Sequence, residues 1–172
     1  MDSTTTAAQP IAEIYSLGVT RELDLTFVLE YVEKALTREF EDNRPVIAET
    51  RKAIQHFLDA EAEFIGFGGT RICFADDSGR VIKIPFRREG YSASSREVDT
   101  YENFSTHPDA GWTPMAECFF TKIDGINIWL LSMERVRMFG SRRGKTLPDW
   151  VSTVDCFQVG YNSDGVLVAY DL

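Results

Sequence analysis

A glycine-rich turn followed by a lysine is the feature of this sequence that most clearly offers chemistry. Residues 64–85 alternate apolar and polar side chains around a turn that holds Gly66, Gly68 and Gly69, and Lys83 follows between branched apolar residues. This alternation predicts three antiparallel strands joined by two turns. Glycines let the backbone approach a ligand closely, and a lysine beneath them can place its ammonium on phosphate oxygens. The alternative is an ordinary hairpin with one exposed lysine.

Two further hairpins are expected downstream. Residues 115–122 and 126–136 are predicted to be strands on either side of an Asp-Gly turn, and the second strand contains the run Met-Glu-Arg-Val at residues 133–136. Residues 156–172 are predicted to form the second of these hairpins, with its turn at residues 162–165. The chain is therefore rich in short antiparallel strands from residue 64 onwards.

In their order along the chain, these motifs resemble those of protein kinases. The glycine turn and Lys83 look like the kinase glycine-rich loop and the lysine of the third strand, and residues 133–136 resemble the Met-Glu-x-Val hinge that grips adenine. A helix carboxylate would hold the lysine towards phosphate. The resemblance implies Glu97 for this role, with Glu102 as the second choice. Arg71 departs from the family pattern, because it stands at the third glycine.

The resemblance implies a nucleotide cleft with ATP and magnesium as candidate ligands. Phosphates would lie against the glycines and the lysine–glutamate pair, and adenine against the hinge. The residues implied to bind the nucleotide are Gly66, Gly68, Gly69, Lys83, Glu97, Met133, Glu134 and Val136.

The last hairpin resembles the kinase segment that carries two metal-binding residues. In the family an asparagine precedes an aspartate by about thirteen residues, and Gln158 and Asp171 stand at that spacing here. They are therefore the implied metal ligands. The catalytic base would fall at Thr153. Asp155, close by but out of register, is the candidate base.

An N-terminal segment lies outside the resemblance. Residues 1–21 are expected to be a flexible lead and residues 22–62 a helical hairpin. Apolar residues recur at three- and four-residue spacing from Asp24 to about Phe40. Pro45 suits the first turn of a second helix. The hairpin is either a brace for the sheet or a surface for a partner.

Three connecting segments complete the chain. Residues 85–91 are predicted to be a charged loop and residues 92–104 a helix that carries Glu97. Residues 137–145 are predicted to be a basic loop that is either solvated or in contact with an acidic partner or phosphate groups. A kinase would need far more chain after this loop, so residues 63–172 are expected to form a kinase-like domain that lacks the helical C-lobe.

Composition narrows the class of protein. The 172 residues carry a formal net charge of −9, which disfavours nucleic-acid binding because phosphate backbones attract lysine and arginine. No apolar run approaches the roughly 20 residues that span a bilayer, and no secretory signal is recognisable. A cytoplasmic protein without a membrane partner is therefore expected. The three cysteines, Cys73, Cys118 and Cys156, are expected to be reduced core residues.

The predicted fold class is α+β: a kinase N-lobe-like antiparallel five-stranded sheet with one helix, a C-terminal β-hairpin and an N-terminal helical hairpin. Three functional hypotheses follow. The first is a catalytically degenerate, pseudokinase-like protein, similar to predicted phage proteins, that binds a nucleotide, a protein partner or both. The second is a minimal active ATP-dependent phosphotransferase with Asp155 as its base. The third is a structural protein-interaction module with an empty cleft, in which Arg71 folds into the phosphate space.

Overall fold

The computed structural model describes residues 25–39, 44–105, 113–138 and 146–170. Within them the chain is an α+β protein with three helices, a five-stranded antiparallel sheet and a three-stranded sheet near the C-terminus. The predicted lead at residues 1–21 lies outside the described residues.

The main sheet is built from five short strands. They are β1 (Phe64–Phe67), β2 (Arg71–Ala75), β3 (Val81–Pro85), β4 (Cys118–Thr121) and β5 (Leu130–Met133). Their order in the sheet is β1-β2-β3-β5-β4, and every neighbouring pair is antiparallel. The three consecutive strands and two turns predicted over residues 64–85 are confirmed.

The strands predicted at residues 115–122 and 126–136 are shorter than expected, because both segments leave the main sheet. Met115 forms a parallel bridge to Ala169 near the C-terminus. At the other end, the chain turns out of β5 after Met133 and continues into the second sheet. A run that is continuous in sequence is thus divided between two sheets.

Alternation along β2 and β3 gives the main sheet two different faces. Ile72, Phe74 and Ile84 are fully buried in a hydrophobic core on one face. On the other face, Arg71 and Lys83 line a cavity. The same two strands therefore carry both the core and the charged groups.

The helical hairpin covers the apolar face of the sheet. Helices α1 (Leu25–Glu39) and α2 (Arg44–Asp59) lie where the periodicity predicts them, and their buried residues belong to the same core as β2 and β3. The ring of Phe57 in α2 stacks on Phe74 in β2, with centroids 5.5 Å apart and planes at 10°. The hairpin therefore braces the sheet, and a role as a partner surface stays a prediction.

A third helix lies on the opposite face. Helix α3 (Arg88–Ser105) packs Val98 into a second core with residues of β4 and β5. The helix predicted at residues 92–104 is present, but it begins four residues earlier, so the prediction of a charged loop is wrong for residues 88–91. Gly90 fits the first turn because it lies directly against the backbone of Thr70. In the described part of the chain, no helix is long and apolar enough to cross a membrane.

The second sheet confirms the predicted terminal hairpin. It consists of β6 (Arg137–Met138), β7 (Val159–Tyr161) and β8 (Leu167–Ala169), paired antiparallel in that order. The side chain of Asn162 accepts hydrogen bonds from the backbone N–H groups of Asp164 and Val166 and closes the turn between β7 and β8.

The predicted basic loop at residues 137–145 is corrected at its start. Residues 137–138 form β6 because their backbone pairs with β7. The remainder, residues 139–145, falls in a part of the chain that is not described.

Replacing Phe57 with alanine is expected to lower the free energy of unfolding by about 3–5 kcal/mol, because the change leaves a cavity between the helical hairpin and the sheet. The matched control is Phe27→Ala in α1, where the ring is 61% exposed, and it should alter the free energy by less than about 0.5 kcal/mol. Urea unfolding followed by circular dichroism measures both. Equally small effects would show that the hairpin does not belong to the core of the sheet.

Candidate functional site

A cavity of about 320 Å³ opens between the β1–β2 hairpin and the segment that follows β5. Its wall combines apolar side chains with two buried cations, Arg71 and Lys83. The predicted nucleotide- and metal-binding residues that line it are Gly66, Gly68, Gly69, Lys83, Met133, Glu134, Val136 and Gln158. The fold therefore brings into one cleft residues from distant parts of the sequence.

The roof of the cavity is the glycine turn between β1 and β2. The N–H of Gly68 donates to the carbonyl oxygen of Arg71 at 2.9 Å and closes the turn. A Cβ atom added at Gly66, Gly68 or Gly69 would meet no atom within 4 Å. Packing does not require glycine at these positions, although the backbone of Gly66, with φ of 157°, is one that other residues rarely adopt. The absence of side chains leaves the roof open to a ligand.

At the back of the cavity, Lys83 forms a buried ion pair with Glu97 of α3. The ammonium Nζ lies 2.8 Å from Oε2 of Glu97 and also donates to the carbonyl oxygen of Tyr170 at 3.0 Å. Glu97 has no exposed surface. The choice of Glu97 over Glu102 as the partner of the lysine is confirmed, while their roles towards a ligand stay predictions.

Arg71 shares the same carboxylate from the neighbouring strand. One terminal nitrogen of its guanidinium lies 2.6 Å from Oε1 of Glu97, and the other lies 3.5 Å from Oγ of Ser94. Arg71 therefore reaches α3 while it lines the cavity. All three of these charged side chains are buried. A buried charge requires a partner of opposite sign, and each of the three has one within hydrogen-bond distance.

Glu97 contacts Arg71 and Lys83 because α3 lies close to the sheet. A Cβ atom at Gly90 would lie 2.5 Å from the carbonyl oxygen of Thr70 and 3.1 Å from Cβ of Pro85. The same Thr70 oxygen accepts the N–H of Phe86 at 3.0 Å, which fixes the start of the helix against the β1–β2 hairpin. Gly90 is a residue that sequence patterns missed, because its role is set by Thr70 and no local signal marks it.

Side-chain contacts join the segment after β5 to the β7–β8 turn and to the residue that precedes β1. Glu134 accepts hydrogen bonds from Oγ and N–H of Ser163, at 3.0 and 3.3 Å, in the β7–β8 turn. Arg135 makes a two-point ion pair with Glu63, at 2.6 and 2.7 Å, just before β1. The bonded Arg135 guanidinium lowers the pKa of the Glu63 carboxyl. The ion pair between Arg135 and Glu63 is therefore intact at neutral pH and is lost only when Glu63 is protonated at acid pH.

The terminal sheet supplies the floor of the cavity through Gln158. Its carbonyl oxygen accepts the N–H of Tyr170 at 3.0 Å, so the two residues face each other across the hairpin and both line the cavity. The preceding residues, Cys156 and Phe157, have left-handed backbones with φ of 47° and 53°, a conformation that is strained for such side chains. Asp171, the implied metal ligand, lies outside the described residues.

The predicted base is not placed by the structure. Asp155 opens a 3₁₀ turn, Asp155–Phe157, but its side chain is among those not described. Thr153, at the position that the family pattern gives to the base, donates its hydroxyl to the carbonyl oxygen of Trp150 at 2.7 Å. Catalysis by Asp155 therefore stays a prediction.

The carboxylate oxygens that the described residues place near the cleft do not form a magnesium site. Magnesium takes oxygen ligands in octahedral geometry and usually one or two carboxylates. The two oxygens of Glu97 face Arg71 and Lys83, and Oε1 of Glu134 accepts from Ser163. Within the described ranges no cluster of three acidic, histidine or cysteine side chains is arranged to hold a metal.

The cysteines differ from the prediction that all three are core residues. Cys118 is buried, Cys73 is partly exposed and lines the cavity, and Cys156 is exposed. Cys156 leaves the core because its left-handed backbone turns the chain at the surface before β7. Burial, reinforced by the nearby charge of Glu97, raises the pKa of the Cys118 thiol to about 12.

Cys156 is expected to react with a thiol reagent at pH 8 far faster than Cys118, because the thiolate is the reactive form and a pKa of about 12 leaves about one Cys118 thiol in ten thousand ionised. Peptide mass spectrometry after timed alkylation measures each site. Cys156→Ser should remove the fast-reacting site at residue 156, and urea should expose Cys118. Equal rates at the two sites in the folded chain would contradict the burial of Cys118.

Gly90→Ala is expected to destabilise the protein by about 1–3 kcal/mol, because the added methyl group overlaps the backbone of Thr70. Without that contact, alanine would stabilise a helix by roughly 1 kcal/mol over glycine, so the sign of the change is diagnostic. Gly68→Ala is the matched control and should leave stability unchanged or slightly raised. A Gly90→Ala variant that melts at or above the parent temperature would refute the close approach of α3.

Comparison with known proteins assigns no family to this geometry. No protein-family model, no curated protein and no solved structure matches the chain. What the cleft can bind therefore has to follow from its own residues.

Proposed function

We propose that this chain is a kinase-like protein that binds a nucleotide, and through it a protein partner, without transferring the phosphoryl group. The observation that carries the proposal is the buried Lys83–Glu97 ion pair, 2.8 Å long, at the back of a cavity roofed by a glycine turn. Such a pair holds an ammonium in place for phosphate oxygens. The glycine roof lets phosphates approach the backbone closely.

The shape and lining of the cavity support a nucleoside phosphate as the ligand. Its volume of about 320 Å³ falls at the lower end of small-molecule sites, which span roughly 300–1,000 Å³. The apolar side chains that could flank a planar base are Ile65, Val81, Met133, Val136 and Met138. Arg71 and Lys83 supply positive charge for the phosphates. An apolar end and a cationic end match the two halves of a nucleotide.

Two features favour binding over transfer. Phosphoryl transfer depends on a positioned base and on metal ions bound by protein oxygens. The family pattern places the base at Thr153, whose hydroxyl is engaged with Trp150. Where the pattern has an asparagine, Gln158 carries its amide one methylene group further from the backbone. The proposal is therefore that the chain acts by binding a nucleotide and a protein partner, and not by catalysis.

A thermal melt with ATP and magnesium tests nucleotide binding. Binding to the folded state alone at a hundredfold excess over Kd stabilises by about 2.7 kcal/mol, which should raise the midpoint of this chain by about 5–10 °C. Lys83→Met should lose most of the shift. Lys34→Met, at an exposed lysine of α1, is the control and should keep it.

Two outcomes would reject the proposal. One is a midpoint that does not move in millimolar nucleotide, or that moves equally in Lys83→Met. The other is transfer of the γ-phosphate to protein in a radiolabel assay, lost in Asp171→Ala, which would establish the phosphotransferase alternative instead.

A further inference from the structure

We infer that the cleft holds the phosphates of its ligand through Arg71 and Lys83 together, without a divalent metal ion. This inference rests on the proposed function and specifies how that site recognises phosphate. It begins from one observation, which is that two cations on adjacent strands converge on a single buried carboxylate. Arg71 meets Oε1 of Glu97 at 2.6 Å and Lys83 meets Oε2 at 2.8 Å.

Both cations also face the cavity. Arg71 and Lys83 line it although their residues are only 8% and 5% exposed, respectively. Arg71 opens β2 directly after the glycine turn. A phosphate beneath that turn would therefore lie close to the glycine backbone and meet two cations from behind, and charge-assisted hydrogen bonds to phosphate are strong.

Arginine is well suited to this position. A guanidinium presents five N–H donors in a planar fork that matches phosphate oxygens, and it stays charged at all accessible pH values. Glu97 and Ser94 hold the two terminal nitrogens of Arg71 from the side of α3. The group is thus positioned before a ligand arrives, and little side-chain entropy is lost on binding.

Among the residues that the structure describes, the charges at the back of the cleft favour an anion and oppose a divalent cation. Arg71, Lys83 and Glu97 together carry one net positive charge, since one carboxylate faces two cations. A magnesium ion bound beside them would be repelled by both cations in a buried environment where screening is weak. The carboxylates of the described residues near the cleft are already engaged, Glu97 with the two cations and Glu134 with Ser163.

Titration of the unmodified chain with adenosine, ADP and ATP, each in excess EDTA and each in excess magnesium, tests the inference by calorimetry. ATP and ADP in EDTA are expected to bind at least about tenfold more tightly than adenosine, because charge-assisted hydrogen bonds to phosphate are added. Magnesium should change the Kd for ATP by no more than about threefold. Binding of ATP that requires magnesium would overturn the inference and leave the proposed function standing.

Arg71→Met tests the arginine itself, since it removes the guanidinium and leaves Glu97 paired with Lys83. The Kd for ATP in EDTA should rise at least about tenfold, while the Kd for adenosine stays the same. Arg51→Met, which removes an arginine paired with Glu33 on the surface of α1 and α2, is the matched control and should bind as the parent does. An unchanged Kd for ATP in folded Arg71→Met would overturn the inference.

The remaining outcomes are also decisive. If Arg71→Met does not fold, Arg71→Lys replaces it, because this variant keeps a positive charge and lacks the planar fork. The nucleotide series with the unmodified chain still decides whether phosphate binding requires magnesium. Absence of ATP binding both with EDTA and with magnesium would overturn this inference together with the proposed function.

Discussion

The structure depends on one buried carboxylate. Glu97 is enclosed completely between α3 and the sheet, and it is stable there as an anion because Arg71 and Lys83 approach it from two neighbouring strands. Removing one partner of a buried charge network typically costs about 3–5 kcal/mol, so the three side chains fix the helix, β2 and β3 relative to one another. The same three side chains form the cationic end of the cleft. Gly90 makes this geometry possible, because any larger residue would hold α3 away from Thr70.

One face of this small sheet carries the charged cleft, so the main hydrophobic stabilisation of the sheet comes from its other face. Ile72, Phe74 and Ile84 provide it on the other face, where α1 and α2 complete the main hydrophobic core. Because side chains alternate along a strand, the residues that carry charge and those that carry the core are immediate neighbours in sequence. The helical hairpin therefore supports the cleft through strands that the two sides share, and Tyr31 of α1 also contacts the ring of Phe67, which lines the cavity.

The cleft is held differently at its back and at its rim. At the back, buried charges meet over short distances. At the rim, Arg135 with Glu63 and Glu134 with Ser163 join the segment after β5 to its neighbours, and such exposed polar contacts contribute at most about 1 kcal/mol each. The left-handed residues Cys156 and Phe157 add backbone strain beside the floor. A ligand would thus meet a fixed cationic wall and a rim that adjusts at small energetic cost.

The sequence by itself determined the local elements, because strand alternation, helical periodicity and turn residues are properties of neighbouring residues. The resemblance to protein kinases implied the pairing of Lys83 with Glu97, which no local pattern shows. It also predicted the terminal hairpin and the grouping of the glycine turn with residues 133–136. Only the tertiary structure decided the ion pair of Arg71, the start of α3 at Arg88, the position of the helical hairpin on the sheet and the exposure of Cys156. The first three depend on contact between segments far apart in the chain, as between Gly90 and Thr70, and such contacts leave no periodic trace in either segment. The exposure of Cys156 follows from its left-handed backbone, which its residue type does not indicate.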